Sequence, residues 1–370
     1  IFERVAQILT EQFDDFTCHS VGDISPLFGQ ATLAAVTEAI LGLSLNDLGD
    51  EYISTNLELM KMAANQSATQ LLVDALLRWI PVAIRDLVIH IPVQPFKFLH
   101  RARYLSDSIG MKVIQDSKNA KSRGLDGSCG LYGDLVGKTG PTFSERDILA
   151  QTSLLLLAGQ DTTANTLTFG FIELARNVDF QEQLRAEIHA SLGSGDANTY
   201  DSMPLLNAFI KEVLRMYPPL AVSERLATED VILPLSEPII TSQGTQISEI
   251  PILKGQVVYM GTAQYQRSES RWGPDANEFK PSRWLKDEGP LNGEGVSSYA
   301  NLLTFFGGSR ICLGWLGMEM QIFICELVAK FHLSIPEEDH LNARCRYALT
   351  LQPMLPDGKK AAFLKIERVV

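Results

Sequence analysis

The stretch FSERDILAQTSLLLLAGQDTTANTLTFGFIELARN, residues 143–177, constrains the fold more than any other part of the chain. Ser144 is placed to cap a helix, and Glu145 and Asp147 fall in its first turn, where the positive end of the helix dipole favours carboxylates. The segment is long enough to run as one helix of about 30 residues. Its middle is apolar nearly all round, so it is stable only with protein packed on every side. A chain built around such a helix must be large and mainly helical.

The remaining composition allows this. With 370 residues, 45% of them apolar, the chain can bury two or three conventional cores or one large helical one. The net charge is −12 and no lysine or arginine run appears, which argues against a nucleic-acid partner. Cys18, Cys129, Cys312, Cys325 and Cys345 follow no disulfide or zinc spacing, and point to a reducing compartment. No apolar run reaches the length of a membrane span, and no signal peptide is present. The chain opens at Ile1, inside a helical pattern and without methionine, so a piece of a longer protein is expected.

Residues 1–230 read mostly as helix. FGQATLAAVTEAILGL and FLHRARYLSDSIGMKVIQDSKNAK carry apolar positions three and four apart. Pro92 and Pro95 interrupt this pattern, and SKNAKSRGLDGSCGLYGDLVGKTGP reads as a loop. LLRWIPVAIRDLVIHIPV is either a membrane-touching surface or a packed helix pair. The helix MPLLNAFIKEVLRMY is predicted to stop at Pro218-Pro219. Residues 231–300 then alternate and turn, giving a β-rich and loop part. Residues 301–370 hold a glycine-rich cysteine loop, an apolar helix and a strand-like tail. The whole reads as one domain over 1–370, mainly α with a small β region.

The cysteine loop is TFFGGSRICLG, residues 304–314. Glycines let backbone approach a ligand closely and donate N–H groups to it. A thiolate just before a helix N-terminus is stabilised by the dipole. Haem iron is one partner such a thiolate takes, and thiolate ligation favours O–O cleavage. The other reading of Cys312 is an ordinary buried thiol in a glycine-rich turn.

Phe305, Gly308, Arg310, Cys312 and Gly314 spell F-x-x-G-x-R-x-C-x-G, which resembles the haem-binding signature of the cytochrome P450 monooxygenases. Three further landmarks of that family stand in its order: AGQDTT in the long helix, EVLR with Glu212 and Arg215, and FKPSRW with Arg283. The stretch WGPDANEFKPSRWL is especially similar to membrane-bound eukaryotic members, fungal ones among them.

The resemblance implies the cytochrome P450 fold, here without its N-terminal helices, and haem b with Cys312 as axial ligand. Phe305 would cover the sulfur, Gly308 and Gly314 would shape the loop, and Arg310 and Arg225 would pair with haem propionates. Ala158 and Gly159 would let a ligand press on the central helix. Asp161 and Thr162 would supply protons to the reacting dioxygen, which neighbouring helical positions can do together only if the helix opens locally. Glu212, Arg215 and Arg283 would form a buried network bracing the cysteine loop. Substrate would meet residues 154–165, 220–224 and 349–351. The implied reaction inserts one atom of dioxygen into a small apolar organic substrate. Electrons would come from an NADPH-dependent flavoprotein reductase, on the cytosolic face of the endoplasmic reticulum membrane. Other readings are a haem-thiolate isomerase or dehydratase and a catalytically silent haem-binding protein.

Two departures from the family pattern stand out. Nothing before Ile24 resembles the Trp- and Arg-bearing helix that grips haem propionates, so weak haem binding is expected of the chain alone. Beyond Cys312, Glu319 arrives two positions earlier than in the family run C-x-G-x-x-x-A-x-x-E. Such a loss within a helix would rotate its two sides by about 200°, so the loop is expected to absorb it.

Overall fold

The computed structural model describes residues 1–17, 21–64, 68–77, 80, 81, 84, 94–123, 130–136, 144–192, 200–285, 297, 299–312, 314 and 318–369. The longer helices are α1 (Phe2–Thr17), α2 (Ser25–Leu41), α3 (Asp50–Ala64), α4 (Ala68–Leu77) and α5 (Gln94–Ser122). They continue with α6 (Gly130–Val136), α7 (Glu145–Arg176), α8 (Val178–Leu192), α9 (Pro204–Met216) and α10 (Met318–Lys330). The chain is mainly helical with small sheets, the fold class expected. One expected loop is partly helical, since α6 lies inside the Gly- and Lys-rich stretch. Its Tyr132 anchors it by donating to the Ile148 carbonyl and bonding the Thr152 hydroxyl at 2.7 Å. Most of the amphipathic LLRWIPVAIRDLVIHIPV stretch lies outside the described residues.

The strands are β1 (Val21–Asp23), β2 (Ser223–Leu226), β3 (Val231–Ile240), β4 (Gln246–Ile252) and β5 (Val257–Met260), then β6 (Phe331–Ser334), β7 (Arg344–Tyr347), β8 (Leu351–Met354) and β9 (Phe363–Arg368). Three pairs are two-stranded: β2 with β5, β3 with β4 and β7 with β8. The remaining sheet has the order β1-β9-β6, so β9 pairs on both edges.

Helix α7 is the axis. Its Ser144 cap accepts from the Asp147 N–H, and the Asp147 carboxylate accepts from the Ser144 N–H at 2.7 Å. From Ala164 to Ala175 every residue is buried, as the all-round apolar pattern requires. Below it Phe13, Phe28, Phe171 and Phe331 meet, drawing α1, α2 and β6 onto α7, with Phe28 and Phe171 centroids 4.9 Å apart. Edge and tilted contacts of this kind add to the area each ring buries. Helix α2 packs tightly on α7 at Gly159, where a Cβ would overlap Val36 Cγ2. There the Thr32 hydroxyl donates to the Gln160 carbonyl at 3.1 Å, and Gln160 Nε2 donates to the Gly29 carbonyl.

Candidate haem-thiolate site

The cysteine loop is a run of tight turns: a 3-10 turn at Leu303–Phe305, then Gly307, then a second 3-10 turn at Gly308–Arg310. Gly308 has φ 71°, a left-handed conformation natural to glycine. Phe306 takes φ 58°, which costs a side-chain-bearing residue energy and persists only where its surroundings impose it. The Cys312 N–H donates to the Phe305 carbonyl at 2.9 Å and closes the loop. Cys312 itself is exposed and free of any disulfide, and Gly307 to Arg310 are exposed as well. A Cβ on Gly314 would stand 3.5 Å from Cys312 Sγ, an ordinary contact. Phe305 is half-buried with its ring edge-on to Tyr299, and Arg225 lies with its guanidinium 5.4 Å from the Phe306 ring centre. Residues 315–317, where the shortened spacing after Cys312 falls, lie outside the described residues.

A buried scaffold holds this loop from behind. The Thr304 hydroxyl donates to the Leu214 carbonyl at 2.9 Å and meets Gln266 Oε1 at 3.1 Å, while Gln266 Nε2 donates to the carbonyls of Leu214 and Arg215. Glu212 and Arg215, neither with any exposed surface, form a two-pronged ion pair with both contacts at 2.8 Å. Arg283 adds a third member through Nε, 3.0 Å from Glu212 Oε1. The structure therefore brings Glu212, Arg215 and Arg283 together. Sequence reasoning missed the rest of the shell. The Lys280 N–H and Trp284 indole also donate to Glu212, and Arg215 donates to the carbonyls of Gln266, Ala276 and Glu278. Only the FKPSRW motif hinted at Trp284.

On α7, Leu154 and Ala158 are exposed and Thr162 half-buried, an open strip running up to the fully buried stretch that begins at Ala164. Spacings of four place all three on one face. Gly159 does not belong to that strip. Its missing side chain makes room for Val36, so it serves helix packing rather than the open face. The helix is also continuous through Asp161 and Thr162, without the local opening expected. The Thr162 hydroxyl donates to the Ala158 carbonyl at 2.7 Å, one turn back. Asp161 is buried and turned elsewhere, bonding Lys360, Asn165 and Thr350. Of these partners only Asn165 is local; Thr350 and Lys360 carry no sequence signal linking them to α7.

The three segments expected to meet substrate converge. The Leu351 N–H donates to the Pro219 carbonyl at 2.8 Å, the Tyr347 hydroxyl to the Val222 carbonyl, and Thr350 reaches α7 through Asp161 and Asn165.

A haem needs a free thiol at a chain position that lets a flat ring approach, and cations for its carboxylates. Cys312 in its glycine loop and the exposed Arg310 and Arg225 supply these, and the residues fit the group. The cytochrome P450 family model matches residues 1–356, and the chain belongs to that family. It is 33% identical over 343 residues to cytochrome P450 monooxygenase 91 of Postia placenta, covering 86% of this chain and 63% of that relative. It is 30% identical over 346 residues to ganoderic acid synthetase CYP5150L8 of Ganoderma lucidum, covering 85% and 63%. To cytochrome P450 monooxygenase claP of Ampulloclitocybe clavipes it is 42% identical over 174 residues, covering 46% and 32%. The chain spans under two thirds of the length of each.

Proposed function

We propose that this chain carries the haem-thiolate core of a monooxygenase that inserts one oxygen atom into a small apolar organic molecule. The observation that carries the reading is Cys312, a free exposed thiol in a backbone-closed loop with arginines beside it. Cys312 would ligate haem b, with Arg310 and Arg225 on its propionates and Phe305 beside the sulfur. When bound, that group supplies activation of dioxygen, which thiolate ligation favours. The protein supplies the rest. Leu154 and Ala158 give an apolar surface that excludes water and takes an apolar substrate. Thr162 holds its hydroxyl proton on the Ala158 carbonyl, at the half-open edge of the same strip. Asp161, the preceding residue, is held on Lys360, Thr350 and Asn165, and would relay protons to Thr162 only after releasing one of those partners. Glu212, Arg215 and Arg283 fix helix α9 against the residues behind the loop and take no part in chemistry.

Electrons would reach the site from an NADPH-dependent flavoprotein reductase, and the complete protein would sit on the cytosolic face of the endoplasmic reticulum membrane. No helix among the described residues is long and apolar enough to cross a membrane. The test is spectroscopic. The complete protein, reduced under carbon monoxide, should show the absorbance band that gives the family its number, and C312A should not. Wild type without the band refutes the proposal. Turnover of apolar substrates with reductase and NADPH then separates a monooxygenase from an isomerase or a silent haem protein.

A further inference from the structure

The Asp161 carboxylate is held from the far end of the chain. Its Oδ1 accepts from Lys360 Nζ at 2.8 Å, and its Oδ2 accepts from the Thr350 hydroxyl at 2.5 Å and from Asn165 Nδ2 at 3.1 Å. Thr350 sits in the turn between β7 and β8, beside exposed Leu349, and Lys360 lies just before β9. Both oxygens are thus committed to the C-terminal strands, while the neighbouring Thr162 hydroxyl is committed to Ala158. Among the described residues Lys360 is the cation paired with Asp161. The orphaned buried atoms of the cluster, Asn165 Oδ1 and Gln352 Oε1, are both acceptors. The other acid close enough to feel Lys360, Asp23, is occupied by the backbone N–H groups of Ser25 and Ala362. Asp161 is 7% exposed, whereas the Lys360 side chain retains 23% of its surface, so the ammonium is the outward end of the pair.

We propose that Lys360, seconded by Thr350, is the positioning residue for Asp161: it fixes which way the carboxylate points on α7 and so controls its use beside Thr162. This rests on the monooxygenase reading above. It also makes the β7–β8 turn, which offers Leu349 to the substrate region, a mechanical neighbour of the acid. A substrate that displaces the turn displaces one of its three holders.

The test uses the complete protein with D161N, K360M, K360R and the D161N/K360M double variant. In chemical denaturation the two sites should be coupled, the double variant departing from the product of the single effects by about tenfold in the unfolding constant. In turnover with reductase, D161N should lower product formed per NADPH consumed by about a hundredfold, in the range of a lost acid–base group. K360M should lower it by about tenfold and K360R should recover most of that loss, while K360M added to D161N should cost nothing further. A merely structural lysine would add its loss in both backgrounds. If K360M does not fold, K360Q removes the same charge and is judged by the same criteria. A normal carbon monoxide band with product yield unchanged in K360M overturns the assignment and leaves the monooxygenase reading intact. Wild type lacking the band overturns both.

Discussion

Removing the Glu212 carboxylate should be among the most damaging single changes available outside the cysteine. Five N–H groups converge on it: two from Arg215, one from Arg283, the Lys280 backbone and the Trp284 indole. E212A would leave Arg215 fully buried beside no opposite charge, since its remaining partners are the carbonyls of Gln266, Ala276 and Glu278 and the Met216 sulfur. Breaking one side of a buried pair costs about 3–5 kcal/mol. Against a total stability of about 5–15 kcal/mol, that leaves a small margin. By contrast the exposed pair of Lys118 and Glu145, although 2.6 Å apart, should be worth under about 1 kcal/mol. Urea denaturation followed by tryptophan fluorescence is suited to the comparison, because Trp272 and Trp284 border the network. The expected order of loss is E212A well above E212Q, and E212Q above K118A, with E212A/R215A less than the sum of its singles. E212A unfolding within about 1 kcal/mol of wild type would show that burial does not amplify this pair, and the reasoning would fail.

Other outcomes can be checked in the same way. G159A should cost about 1–3 kcal/mol by overpacking against Val36, and V36A should relieve it, measured as denaturation midpoints of the two singles and the double. S144A should cost about 1 kcal/mol through loss of the α7 cap, read in the same titration. Glu319 has a buried, unpartnered Oε1, and burial pushes its carboxyl up to about 8 from 4.5. With the folded value raised, its contribution is fully present below pH 4.5 and is lost as pH rises through 8. Melting temperature should therefore fall across that window in wild type and fall less in E319Q.

The legible parts of this molecule are those written in local chemistry. Ser144 and Asp147 announced the start of α7, and Pro218-Pro219 the end of α9. Glu212 and Arg215 share a helix face, so their pairing follows from spacing, and only Arg283 needed the resemblance. What stayed hidden depends on which elements become neighbours. Gly159 reads as a small residue suited to any close approach, and only the fold shows that Val36 is what approaches. Asp161 beside Thr162 reads as a joint pair, but the two point to different neighbours, one of them Lys360. A charge pair 199 residues apart leaves no trace in periodicity or spacing. The helix Gly130–Val136 was masked by the glycines around it, and is held by Tyr132, whose partners lie on α7.

The sheet order β1-β9-β6 has a bearing on biogenesis. The Asp23 carboxylate accepts from the Ala362 N–H, 339 residues further along, and among the described residues the backbone of β1 pairs only with β9, so β1 has no strand partner until β9 has been made. Until the ribosome has delivered β9, the edges of β1 and β6 that face it are both open to the wrong strand.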